Sequence, residues 1–462
     1  MSIKGFYRFI SAAFCAAVLC AATPSAHAKL ATVGAVHEYA KQIWGVDIAY
    51  NPARRSNIPN LKYLMQFVDL ANLKLNGWVT SDFSNDPDYF TDEIAADTAG
   101  RDAVNILIEK VEWKFFFTPA TTTNEYSFNI SAAGRFYIDW GDGQKEFIHK
   151  KDVNMRTISH TYTDGTAANT HEIKLGGHAT RYSADETTAA ISFCDKTYIE
   201  KYNQVFPANP YGLSAMRGCV GCVFSTLPNG DQPRFYQTFV GNIDLASELP
   251  ENLFNGVKGQ PVSNMFEATF WGDSKITGPI PENLFADIRG EPVRGMFFYT
   301  FFGCSSLTGS IPGNLFAGIS GAPAERMFQS VFTNCSKLTG SIPATLFAGI
   351  AGAPKAYMYQ SVFYGCTGLT GEIPVELFAG IDPASSYVTN MFYGTFYQCV
   401  GLTGPSARIG DKYLYEIWPA SGGETYNGAS GLSDWACIPR SWAGPGTKKP
   451  GECEPAAGGA DE

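Results

Sequence analysis

Two aspartates three positions apart, Asp139 and Asp142 in the run Asp139-Trp140-Gly141-Asp142-Gly143, are the first residues of this 462-residue chain whose types and spacing could do chemistry. Paired carboxylates can divide general acid and general base work between them, and an acidic turn can hold calcium. Both, however, sit in a turn where Gly141 and Gly143 can take positive φ and where a carboxylate can accept backbone N–H groups. No second acid or base element accompanies them, so a structural role is expected. Four histidines, His149, His160, His171 and His178, follow closely and could face one another on antiparallel strands as metal ligands, but no pair has the tight spacing of a zinc motif. Cys219-Val220-Gly221-Cys222 is a C-x-x-C without the second pair that zinc needs. A local disulfide or a place in a capping coil is expected there. No nucleophile with a paired base and no phosphate loop is found, and the chain reads as a non-enzyme with no cofactor and no metal.

The elements that must position these residues change in texture along the chain. Residues 113–196 consist of short alternating runs, KFFFTP, YSFNIS, RFYIDW, HEIKLGG and TAAISF, separated by Gly, Asn, Asp and Thr clusters. Such spacing predicts a β-sandwich. The Trp140-Gly141-Asp142-Gly143 turn and the later His160-Thr161-Tyr162 resemble the marks of the PKD domain, an immunoglobulin-like sandwich. That resemblance implies that Asp139, Asp142, His160 and Tyr162 belong to its turn and strand framework.

Ahead of this region, Lys4 and Arg8, an apolar stretch from Phe9 to Ala22 and the triplet Ala26-His27-Ala28 have the layout of a secretory signal peptide over 1–28. Residues 29–112 carry Leu61, Leu64, Met65 and Val68, then Val104, Leu107, Ile108 and Val111, at helical spacing, which predicts a helical region. No later stretch approaches the ~20 apolar residues of a membrane helix, so no transmembrane segment is expected after cleavage. The formal net charge of −10 repels phosphate backbones and argues against nucleic acid as a partner.

The second half repeats itself. Residues 304–323 read CSSLTGSIPGNLFAGISGAP and residues 335–354 read CSKLTGSIPATLFAGIAGAP. Units start at Gln232, Ser263, Arg294, Glu325 and Ala356, and a truncated sixth follows with Met391 two residues late. Fixed-period repetition predicts a solenoid whose units bury their apolar sides against one another. Here it gives about six coils of period 31 over residues 211–404. Core columns run through Phe239, Phe270, Phe301, Phe332, Phe363 and Phe396, and through Leu245, Ile276, Leu307, Leu338, Leu369 and Leu402. A further column reads Asn242, Asp273, Cys304, Cys335, Cys366, Cys399. A site that takes Asn, Asp or Cys calls for a small side chain that bonds backbone at a coil corner. Adjacent coils would bring the cysteines within disulfide reach, yet Asn242 and Asp273 fill the column without sulfur, so free buried thiols are expected. The ladder column and the phrase C-x-x-L-T-G-x-I-P-x-x-L-F resemble leucine-rich repeats, in particular the BspA-like surface repeats of bacteria. The period is longer than that family's usual one, and the resemblance implies an adhesive surface protein.

Two strand registers compete, one in M-F-x-x-x-F ahead of the ladder residue and one in L-T-G-x-I after it. The first is favoured; it turns 266, 268 and 270 inward, with Tyr299 in the column of 268, and turns 267, 269 and 271 outward. The outward columns vary while the scaffold stays constant: Glu267, Phe298, Gln329, Gln360 and Tyr393 in one, Trp271, Phe302, Tyr364 and Tyr397 in the other, where Thr333 interrupts the rings. These residues are the candidate ligand-binding positions, because exposed rings on adjacent coils can stack on sugars or anchor a protein. Residues 405–443, with Tyr413, Tyr415, Trp418 and Trp435, are expected to cap the coils, with Cys437 and Cys453 closing that end, and 444–462 to form a disordered tail.

The expected fold is therefore multidomain: a helical N-terminal region, a PKD-like β-sandwich and a leucine-rich-repeat-like solenoid. The expected function is that of an exported bacterial protein, at the cell surface or secreted, with the periplasm as a further compartment, which binds extracellular protein or glycan. The alternative is a structural envelope or spacer protein without a specific ligand.

Overall fold

The computed structural model describes residues 114–194, 209, 211–227, 229–419, 422–449 and 452–453. The expected leader over 1–28 and the expected helices over 29–112 lie outside the described residues.

Alternation of large apolar residues builds the first part. In strand β1 (Lys114–Pro119) Phe115 and Phe117 face inward, and in β2 (Glu125–Ile130) Tyr126, Phe128 and Ile130 do so, all at most 1% exposed. With β3 (Ala133–Asp139), β4 (Lys145–Lys150), β5 (Arg156–Thr161), β6 (Ile173–Arg181), β7 (Ile191–Ser192) and β8 (Leu213–Gly218) they form two antiparallel sheets. The five-stranded sheet has the order β4-β3-β6-β1-β8 and the three-stranded sheet the order β5-β2-β7. Rings from both, such as Phe117 edge-on to Phe128 at 5.5 Å, meet between them. Residues 213–218, read from the sequence as part of the repeat, instead complete the larger sheet through pairs such as Phe117↔Met216.

The repeat continues this core. Phe193 stacks on Phe239 at 5.5 Å, and from there Phe270, Phe301, Phe332, Phe363 and Phe396 follow at 5.3–6.1 Å with nearly parallel planes. A second file runs Phe235, Phe266, Phe297, Phe328, Tyr359, Phe392 at 5.6–6.1 Å. The close approach of layers explains the glycine of Leu-Phe-Ala-Gly-Ile: a Cβ at Gly349 would collide with the Ile319 carbonyl oxygen.

The expected fold class is overturned. Among the described residues strands and turns dominate, the one α-helix, α1 (Leu414–Ile417), has four residues, and no leucine-rich-repeat solenoid with a strand in each unit is found. The favoured strand, M-F-x-x-x-F, is a chain of turns. Alternate N–H groups donate to the next layer, Phe266 to Met296, Ala268 to Phe298 and Phe270 to Thr300 at 2.7–2.9 Å. The groups between them close tight turns, Glu267 to Asn264 and Thr269 to Phe266. Every fourth residue then takes positive φ, 57° at Asn264, 54° at Ala268 and 82° at Gly272, which no strand can accommodate.

This geometry also corrects which side chains point inward. The column of Thr269, expected outward, is buried, and the hydroxyls of Thr269, Thr300 and Thr395 donate to carbonyls of the preceding layer at 2.9–3.0 Å. Tyr299, expected inward, lies half-buried on the outer side against Phe298 and Phe302.

At the far end Tyr426 stacks on Phe396 at 5.6 Å and Trp442 closes over Tyr426 at 6.0 Å. Trp418 covers Phe392, while Tyr415 is buried and donates to Asp434 at 3.1 Å. Residues 446–448 donate back to Ile438 and Ala436, and Cys437 is bonded to Cys453, so the chain is tied to the cap beyond residue 444.

Candidate functional site

The aspartates of the Gly-rich turn are held in separate local structures. Asp139 accepts the Gly141 N–H at 3.1 Å and faces Lys174 at 3.5 Å. Asp142, whose side chain is 2% exposed, accepts the Gln144 N–H at 2.9 Å and lies 2.8 Å from His160 Nε2. Trp140 stacks on His160 at 4.7 Å, His160 meets the edge of Tyr162 at 4.6 Å, and Tyr162 stacks on His171 at 4.2 Å. The Tyr162 hydroxyl donates to the Trp140 carbonyl at 3.0 Å, and His171 Nε2 meets Thr166 Oγ1 at 2.6 Å. Asp142, His160 and Tyr162 thus form one pillar that clamps the turn to β5. The backbones of His149 and His178 both pair with Arg135, but their side chains lie outside what is described. Among the described residues no group of three or more His, Cys, Asp or Glu could hold a metal.

The pillar has a measurable signature. Burial opposes ionisation of Asp142, but the Gln144 N–H and His160 outweigh it and hold the acid below its usual range. The stability this carboxylate supplies is present above its unfolded value of about 3.9 and is lost as pH falls through the lower folded value. Asp142→Ala is expected to cost about 1.5–3 kcal/mol at neutral pH, the range for hydrogen bonds to a charged group. Urea midpoints against pH should show a steeper acid decline for the wild type than for the variant.

The corner column is likewise internal. Cys304, Cys335, Cys366 and Cys399 are free, buried, and donate Sγ–H to the carbonyls of Phe270, Phe301, Phe332 and Phe363 at 3.0–3.1 Å. Burial pushes their thiols up, that of Cys366 to about 12, so they are poor nucleophiles. Asn242 Oδ1 accepts from Leu213 N at 2.6 Å and its amide bonds the Phe239 carbonyl, which joins the first layer to β8. Cys219 and Cys222 are disulfide-bonded to each other.

The remaining candidates share the outer face of the layers. Trp271, Phe302, Tyr364 and Tyr397 are all partly exposed there, and Tyr393 is 36% exposed. The rings form two groups. Trp271 lies 5.5 Å from Tyr299 and 6.1 Å from Phe302, and Phe298 packs on Tyr299 at 3.9 Å. Tyr364 and Tyr397 stack at 4.1 Å with parallel planes. Between the groups Gln329 donates its amide to Gln360 at 2.9 Å, and Thr333 is buried.

Glu267 sits at the sheet-proximal end of this face. Burial lifts its acid to about 7, against the opposing pull of Arg294 and Arg326. Arg326 is stacked 5.0 Å from the Tyr357 ring and 5.9 Å from Phe298. A loop of the sheets reaches over this end: Arg234 donates to the Ser183 carbonyl at 3.0 Å and Arg294 lies 4.0 Å from Glu186. Tyr236, Arg326 and Glu186 were not singled out in the sequence, Arg294 entered only as the start of a repeat unit, and Tyr299 was expected inward. The signal available was their place beside the variable columns, but which of them meet depends on layers thirty-one residues apart.

Compared with known proteins, the chain matches no family model, no curated protein and no solved structure. Among the described residues no helix is long and apolar enough to cross a membrane.

Proposed function

We propose that the chain is an exported, non-enzymatic binding protein of the adhesion type, whose repeat layers offer their outer face to an extracellular protein or glycan. The observation that carries this reading is the set of partly exposed rings Trp271 and Phe302 on two adjacent layers and Tyr364, Tyr397 and Tyr393 on two more, separated by the layer of the buried Thr333, on an otherwise constant scaffold. Aromatic surface left in water at repeated positions has a free-energy cost that binding would offset. The resemblance of the repeat phrase to BspA-like surface repeats, and of the turn to PKD domains, supports the same reading. Mutual packing of the rings, as in the Tyr364–Tyr397 stack, is what a spacer protein would also have.

The two readings separate in a binding screen. The full chain without residues 1–28 is expected to bind at least one member of a panel of glycans and extracellular-matrix proteins. Changing Trp271, Phe302 and Tyr364 together to alanine is expected to weaken that binding by about 2–4 kcal/mol, as loss of interface anchors does. A wild type that binds nothing, or a triple variant that binds as well, favours the spacer.

A further inference from the structure

We propose that the occupant of this face is a neutral glycan and that Glu267, with Tyr236, Phe298 and Tyr299, forms the subsite that selects it. The inference rests on the binding-protein reading and adds the ligand class.

The site is built where two parts of the fold converge. The loop that carries Asp185 and Glu186 leaves the sheets and crosses the first layers, held by Arg234 to Ser183, by the Asn264 amide to the Glu186 carbonyl at 3.5 Å, and by Arg294 facing Glu186. Glu267 lies in the angle so formed. Its carboxyl group has no hydrogen-bond or ion-pair partner among the described residues, and it rests over Gly295, where a Cβ would come within 3.3 Å of Oε2. Beneath it Asn264, 4% exposed, has an enclosed Oδ1 without a hydrogen-bond partner among the described residues. Charge reaches Glu267 from Arg294 and Arg326 on the next two layers, Tyr236 and Tyr299 lie close by, and Asp185 and Glu186 belong to the loop.

This mixture decides the class of ligand. A strongly anionic group would meet Glu267, Asp185 and Glu186, and a strongly cationic one would meet the two arginines. A neutral polyol offers hydroxyls that donate to the carboxylate and accept from guanidinium, and C–H faces that lie on rings. An extended peptide would need free backbone groups at the face, whereas the layers use theirs on one another: Glu267 N donates to Asn264, Ala268 N to Phe298, and Phe298 N to Gly295. The chemistry returns along the stack after one interruption, at the layer of Gln329 and Thr333. The columns Glu267, Phe298, Gln329, Gln360 and Trp271, Phe302, Tyr364, Tyr397 step with the layers, whose inner rings are 5.3–6.1 Å apart. An extended sugar chain would therefore meet two ring groups, Trp271 with Phe302 and Tyr364 with Tyr397, across the layer of the buried Gln329 and Thr333.

The test is titration of the full chain without residues 1–28 with neutral oligosaccharides, namely β-linked glucose, galactose and N-acetylglucosamine oligomers, beside sulfated and sialylated arms and matrix proteins. A neutral oligosaccharide is expected to bind, more tightly as pH rises through the Glu267 value of about 7, because an ionised carboxylate is the stronger acceptor. Glu267→Gln is expected to flatten that pH profile and weaken binding by about tenfold, the size of one charge-assisted hydrogen bond. Phe298→Ala should weaken binding and keep the inflection. Thermal unfolding of each variant identifies any that fail to fold. If only charged glycans or only proteins bind, and the triple ring variant abolishes that binding, the neutral-glycan assignment is overturned while the binding face stands. An unchanged affinity and pH profile in Glu267→Gln overturns the subsite, and binding to nothing overturns both.

Discussion

Replacing Phe301 by alanine is expected to remove about 3–5 kcal/mol of stability, the cost of truncating a fully buried phenylalanine in a close-packed core. Phe301 has no exposed surface and lies between Phe270 at 5.5 Å and Phe332 at 5.9 Å, with interplanar angles of 7° and 1°. Its flank meets Phe285 at 6.3 Å. Each neighbour is fixed by backbone bonds to the layers on either side, such as Phe270 N to Thr300 O and Phe301 N to Val331 O. The layers therefore cannot close the gap without breaking those bonds, and most of the cavity cost should persist. Phe301→Leu keeps most of the apolar volume and should lose about 1–2 kcal/mol. Urea denaturation followed by tyrosine and tryptophan fluorescence measures both. A loss below about 1 kcal/mol for the alanine variant would mean that the ring column is not close-packed.

The second large effect has the opposite sign. Asp273→Asn is expected to stabilise the protein near neutral pH by about 1–3 kcal/mol, the penalty for a buried polar group left without its partner. Asp273 is fully buried; Oδ1 accepts the Asn242 N–H at 2.7 Å, and Oδ2 has no hydrogen-bond partner among the described residues. The thiols that follow in the column both accept from the layer before and donate to a carbonyl, which an ionised carboxylate cannot do. Burial raises the Asp273 acid well above its usual value, against the opposing pull of the Asn242 N–H. The folded state therefore keeps a proton that the unfolded chain releases near pH 4. Stability linked to this group is greatest below about pH 4 and falls, by up to about 1.4 kcal/mol per pH unit, until the folded value is reached. Asparagine supplies both a donor and an acceptor and has no such slope. Urea midpoints at acidic, neutral and mildly alkaline pH should converge for the two proteins in acid and separate as pH rises. Parallel curves would show that Asp273 does not carry a buried proton.

The same column shows how far the residues could be read in advance. Asn, Asp and Cys share smallness and a capacity to bond backbone, so a corner role was legible from their alternation alone. The inward files of Phe and Leu were legible for the same reason, since a position that keeps one apolar type through every unit has one environment. Tyr299 and Thr269 were misassigned because a strand period of two was applied to a segment whose backbone repeats every four residues. The strand expected in each unit failed with it: Gly241, Gly272, Gly303, Asn334 and Gly365 mark one positive-φ column by residue type, but the column of Ala268, four residues earlier, takes the same conformation through hydrogen bonds to the following layer and carries no such mark. Ala268, Tyr299, Ser330 and Ser361 share that conformation and have little else in common.

What the sequence determined by itself was the period of 31, the Phe, Leu and corner columns that face inward and the alternating strands of the sheets. All of these depend on the type of a residue at its own position or on repetition along the chain. Only the tertiary structure decided that the layers are made of turns and that residues 213–218 complete a sheet. It also closed the ring file with Tyr426 and Trp442, and it brought the charges of Arg294 and Arg326, on the next two layers, to bear on Glu267. Those outcomes depend on which groups meet across layers or between layers and sheets, where hydrogen-bond partners and electric fields come from residues far away in sequence.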